Sequence, residues 1–82
     1  MNRGWHEGTI GIPVNKPGTR IAHYWVKTAE EDQEAGMGRI LKMQIKMDGE
    51  TVVNYDRGWD IKPDENDQAI MVAYSILIDS YF

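Results

Sequence analysis

Between Leu41 and Met47 the chain alternates apolar and polar residues, with Leu41, Met43, Ile45 and Met47 set against Lys42, Gln44 and Lys46. A period of two is the pattern of a strand with one face on a core and the other in water. Asp48-Gly49 follows at once, a dipeptide suited to reversing a strand, so Thr51 to Arg57 is expected to return as its antiparallel partner. A chain with this pair must build an antiparallel sheet with one buried side, and some apolar element must cover that side.

The pattern also predicts a register. A two-residue Asp48-Gly49 turn would set Met43 against Asn54 and Leu41 against Asp56, polar groups on the apolar face. A three-residue loop, Met47-Asp48-Gly49 with Gly49 left-handed at a G1 bulge, instead pairs Met43 with Val53, Leu41 with Tyr55 and Lys46 with Glu50. The three-residue loop is therefore expected, since a slip of one residue changes every cross-strand partner.

Two further strands precede this hairpin. Trp5 to Ile12 and Thr19 to Thr28 flank Pro13-Val14-Asn15-Lys16-Pro17-Gly18, a run of turn formers. In the second strand Ile21, His23, Trp25 and Lys27 share one side and Arg20, Ala22, Tyr24 and Val26 the other, so neither face is cleanly polar. Glu30, Glu31, Asp32 and Glu34 read as a solvated loop, and Gly36-Met37-Gly38 as a flexible entry to the next strand rather than a phosphate loop.

The covering element is predicted over Asp64 to Tyr81, a helix preceded by Pro63 with carboxylates at Asp64, Glu65 and Asp67 near its start. Ile70, Ala73, Tyr74, Leu77, Ile78 and Tyr81 recur at spacings of three and four and form the stripe that lies on the sheet. Ala69, Met71 and Ile76 widen the apolar arc to roughly 220°, whereas a helix on one sheet needs little more than ~100°. The N-terminal segment or a second subunit is expected to cover the surplus. The fold class is thus α+β: an antiparallel meander of about four strands packed in two layers on one C-terminal helix, a single domain over residues 1–82.

Size and composition narrow the function classes. An 82-residue unit is marginal alone, so association with a copy or a partner is expected. Cysteine is absent, which excludes disulfides, thiolate metal sites and cysteine nucleophiles. Nine basic against thirteen acidic residues, with no basic cluster, argue against nucleic acid. No apolar run approaches the ~20 residues of a membrane span, and Met1 to Gly8 lacks a signal-like stretch, so a cytoplasmic location without membrane contact is expected.

No catalytic, metal or cofactor motif is present in the sequence. His6 and His23 lack metal-ligand spacing, and Ser75 and Ser80 lie on the predicted helix without a nucleophile elbow. Met43, Met47 and Met71 read as adaptable core filling. The densest chemistry is Asn54-Tyr55-Asp56-Arg57-Gly58-Trp59-Asp60, at the corner between the last strand and the helix. Tyr55, Asp56, Arg57, Trp59 and Asp60 combine a bidentate cation, two stacking rings and two carboxylates, a set suited to a ligand or partner. The structural alternative is that Arg57 pairs with Asp56 or Asp60 and Trp59 anchors the end of the core.

The segments Tyr24-Trp25-Val26-Lys27, Gly38-Arg39-Ile40-Leu41-Lys42-Met43 and the Asn54 to Asp60 run, with the closing helix, resemble a group of small uncharacterised proteins. That group is a domain of unknown function found in Firmicute bacteria and their phages. The resemblance implies no activity, cofactor or catalytic residue; a phage or prophage setting would imply a host or phage protein as partner. A non-enzymatic protein-interaction module is therefore expected, a homodimer with Met71, Val72, Ile76 and Trp25 at the subunit interface. The alternative is a binder of a nucleotide-like small molecule at Tyr55, Arg57 and Trp59.

Overall fold

The computed structural model describes residues 4–14, 18–29 and 39–82. Among these residues five strands form one antiparallel sheet in sequential order: β1 (Trp5–Pro13), β2 (Thr19–Thr28), β3 (Ile40–Met47), β4 (Glu50–Asp56) and β5 (Trp59–Ile61). The helix α1 (Gln68–Tyr81) follows and packs against β1, β2 and β3. The two-layer α+β architecture is as expected, with one strand more than the pattern suggested. The acidic run and Gly36-Met37-Gly38 lie outside the described residues.

Alternation places the core. Ile12 of β1, Ala22 and Val26 of β2, Met43, Ile45 and Met47 of β3, and Val53 and Tyr55 of β4 turn to the helix and are buried. From α1 come Ala69, Ile70, Ala73 and Leu77, with Tyr74, Ile78 and Tyr81 partly buried beside them. The three-and-four spacing of the helix stripe thus meets the period-two stripe of the strands. Gly8 keeps its place because a Cβ there would lie 2.7 Å from the Tyr24 hydroxyl oxygen.

Three details differ from the sequence expectation. The β3–β4 connection is a two-residue turn: Met47 pairs with Glu50, and Asp48 and Gly49 both have positive φ, 54° and 82°, as a type I′ turn requires. Lys46 then pairs with Thr51 and Ile45 with Val53, so Val52 is an extra residue in β4. This bulge restores the parity that the turn alone would spoil, and Met43 faces Tyr55 rather than Val53. Glycine at positive φ was expected at position 49; the bulge lies at Val52 instead.

At the other end of β3, pairing shifts from Lys27–Lys42 to Thr28–Ile40, which makes Leu41 the extra residue. Ile40 takes the buried position and Leu41 is only half-buried. The helix begins at Gln68 rather than Asp64. Asp64 instead accepts from the Asn66 N–H at 2.9 Å, and its carbonyl accepts from the Asp67 N–H, a turn that leaves Asp67 as the N-cap.

Candidate functional site

The Asn54 to Asp60 corner is divided between the two faces of the sheet. The Tyr55 ring is buried under the helix, where the Trp59 ring meets it edge-on at 5.0 Å and lies 5.9 Å from Tyr74. Trp59 remains 36 % exposed, so it rims the core rather than filling it. Burial, reinforced by the neighbouring Tyr55, raises the Tyr74 phenol above its ordinary pKa of 10.0. Asp56 and Asn54 share the opposite parity, and Asp60 accepts from Asn54 Nδ2 at 3.1 Å.

Arg57 turns the chain between β4 and β5 with φ of 60°, held by its N–H donating to the Leu41 carbonyl at 3.1 Å. The expected pairing of Arg57 with Asp56 or Asp60 does not form among the described residues. Asp56 lies 3.9 Å from Nζ of Lys42, its direct partner on β3, and Asp60 is engaged by Asn54. Asparagine's amide and a lysine on the adjacent strand reach these carboxylates because cross-strand neighbours stand closer than the ends of a tight corner.

The expected subunit interface is also divided. Val72 and Ile76 are exposed on the outer side of α1, at 38 % and 41 %, and Met71 is half-buried. Trp25 is on the sheet face opposite the helix, because its neighbours in β2, Tyr24 and Val26, point into the core. One patch containing all four residues is therefore ruled out by the parity of β2.

That opposite sheet face carries the aromatic surface. Register places Trp5 beside Lys27, then Lys42 and Asp56; the next row is Glu7, Trp25, Gln44, Asn54 and Ile61. Lys27 Nζ sits 5.5 Å from the Trp5 ring, a cation–π distance. His23 stacks on Trp25 at 4.2 Å and its Nε2 lies 2.9 Å from a Glu7 oxygen. A cleft of 350 Å³ opens between Trp5, His6, Glu7 and Trp25. His6 itself belongs to the helix side, stacked on Tyr81 at 4.6 Å. Trp5 is 40 % exposed. No described helix or strand covers this face.

Sequence patterning alone missed two features. Trp5 and Trp25 become neighbours only through the β1–β2 register, which neither strand's own pattern carries. Arg20 joins Asp67 and Asp48, which are far apart in sequence, and closes the end of the sheet against the helix N-terminus. Its guanidinium is occupied by both carboxylates, so the 560 Å³ cleft lined by Arg20, Val14, Asp64 and Asp67 presents no free cation from it.

Among the described residues no group of three or more His, Asp or Glu side chains is placed to hold a metal, and no helix is long and apolar enough to cross a membrane. Residues 4–81 match the family described as "Domain of unknown function (DUF7678)". No curated protein and no solved structure matches the chain.

Proposed function

This chain belongs to the DUF7678 family of domains of unknown function, and for it we propose a non-enzymatic protein-interaction module, homodimeric, that binds its partner with the uncovered face of the sheet. The observation that carries this reading is the pair Trp5 and Trp25, held side by side on a face that the helix does not reach. Tryptophan is enriched among residues that dominate binding energy, because one rigid side chain buries a large area at little entropic cost. Lys42, Gln44, Asn54 and Asp56 surround the indoles with donors and acceptors, which suits a mixed protein surface better than a single-sign polymer.

A small ligand at Tyr55, Arg57 and Trp59 has less support. The Tyr55 ring is buried and already contacted by Trp59, so it has no open face for stacking. A host or phage protein is the partner that the proposal favours.

The test is affinity capture followed by binding with purified components. The wild-type domain is expected to retain one protein that rebinds in pure form at fixed stoichiometry, and the Trp5→Ala, Trp25→Ala double variant is expected to lose it at least tenfold. A folded double variant that binds the purified partner as well as wild type would reject the open face as the binding surface.

A further inference from the structure

We propose that two copies of this chain join through β1, edge to edge about a two-fold axis at Thr9, into one ten-stranded sheet. This inference rests on the homodimeric part of the reading above and names the surface that forms the dimer.

The first observation is which backbone groups β1 leaves open. The Thr28 N–H donates to the Gly4 carbonyl at 2.8 Å, and the Val14 N–H to the Gly18 carbonyl at 2.6 Å. Both are bonds between residues directly opposite in the β1–β2 register, Gly4 with Thr28 at one end and Val14 with Gly18 at the other. In an antiparallel pair such hydrogen-bonded positions recur at every second residue. Even-numbered residues of β1 therefore bond to β2, and Trp5, Glu7, Thr9 and Gly11 aim both N–H and C=O away from the sheet, as Pro13 aims its C=O. Among the described residues β1 has β2 as its one sheet neighbour.

The second observation is that β1 carries none of the usual edge protection within its own nine residues. Edge strands are blunted by brevity, bulges, lysine or an internal proline. The opposite edge, β5, follows that rule: three residues long, beside a register shift, with Asp60 in the middle. β1 runs nine residues in continuous register with β2, carries no lysine, and has its proline at the last position.

The third observation is self-complementarity. With the axis at Thr9, Thr9 pairs with its own copy, Glu7 with Gly11, and Trp5 with Pro13. The open groups then match donor to acceptor in about eight hydrogen bonds, and the missing N–H of Pro13 costs one bond at each outer end only. Glu7, the one carboxylate in β1, stands about 14 Å from its copy, four residues along the strand. Moving the axis to Gly8 would make the two Glu7 residues diagonal neighbours at about 7–8 Å, which like charges disfavour. On the helix side Ile10, partly buried on the core, would come opposite Gly8 of the second copy, over which that copy's own Tyr24 ring lies. On the open side the two tryptophan pairs would lie on one continuous face.

Sedimentation equilibrium on four proteins decides the matter. Wild type is expected at twice the 9.4 kDa chain mass. Thr9→Lys puts two ammonium groups on the axis, and Thr9→Pro removes an outward N–H that no bond to β2 uses; each should weaken the dimer at least tenfold with unchanged far-ultraviolet circular dichroism. If the proline variant unfolds, the lysine variant decides alone. Ile76→Ser, on the exposed side of the helix, should leave the dimer intact. Folded Thr9 variants that dimerise like wild type would overturn the edge pairing and leave the homodimer standing, whereas a wild-type monomer at the highest concentration would reject the homodimer itself.

Discussion

Arg20 reaches from the start of β2 to Asp67 at the helix N-cap, its Nη1 donating to both carboxylate oxygens at 3.1 and 3.0 Å. Asp67 meanwhile accepts from the Ile70 N–H at 3.2 Å, and Arg20 Nε donates to Asp48 in the β3–β4 turn at 3.1 Å. One guanidinium therefore links three elements: a strand, a hairpin turn and a helix terminus. The Arg20 hydrogen bond, then the Ile70 N–H, hold the Asp67 carboxyl below its ordinary pKa of 3.8.

Asp67→Ala removes a helix cap and an ion-pair partner together, and should cost at least ~1 kcal/mol of stability at neutral pH. The sign of the pH effect follows from the lowered pKa: the contribution is fully present above 3.8 and is lost as pH falls below that value through the folded-state pKa. Denaturant midpoints measured between neutral pH and pH 3 should converge for wild type and Asp67→Asn as the pH falls. A difference that stays constant would show that the ion pair contributes nothing.

Gly49→Val places a β-branched residue at φ of 82°, where no L side chain is comfortable. A Cβ at Gly49 meets nothing within 4 Å, so the penalty is conformational rather than steric crowding by neighbours. A loss of about 1–2 kcal/mol is expected from chemical denaturation. Asp48→Gly relieves the positive φ at position 48 but also removes the carboxylate that accepts from Arg20 Nε, so its net effect should be small.

The strands and the helix were legible in the sequence because their apolar periods are regular. What escaped was where those periods are interrupted. Val52 and Leu41 are each apolar and β-compatible, so nothing in their chemistry marks them as the extra residue of a bulge, yet both decide which neighbours face the core. β5 was invisible because three residues hold too little pattern. Asp64 and Asp67 are equivalent as cap residues on paper; Asp67 is the cap and is also held by Arg20, a partner distant in sequence. The corner residues were recognised as a dense group, but the alternation of β4 and β5 divides them between two faces, which their chemistry does not announce. Trp5 and Trp25 meet only through pairing between separate strands, a non-local fact that composition does not encode.

Trp59→Ala should destabilise the domain by about 2 kcal/mol, short of the ~3–5 kcal/mol of a fully buried aromatic, because the indole packs on Tyr55 and Tyr74 yet stays partly in water. Near-ultraviolet circular dichroism should change as well, since the ring pair with Tyr55 is lost. An unchanged melting temperature would show that the indole contributes nothing to the core and is free for recognition.

Arg57 offers the sharpest reversal of expectation. A guanidinium paired with Asp56 or Asp60 would make Arg57→Ala costly, but its side chain forms no such pair and the residue is exposed, so that substitution should be nearly neutral. The backbone supplies the second half of the prediction. Arg57 sits at φ of 60°, a conformation that costs an L residue about 1–2 kcal/mol and glycine almost nothing. Glycine gives back roughly 0.5–1 kcal/mol through the greater freedom of the unfolded chain. Arg57→Gly should therefore raise stability by a few tenths to about 1 kcal/mol, while Arg57→Val should lower it by more than Arg57→Ala. Thermal melts of the three variants give the order directly. If glycine proves destabilising, the arginine side chain must make a stabilising contact that outweighs the strain of its backbone, and the corner would have to be read as built around that side chain.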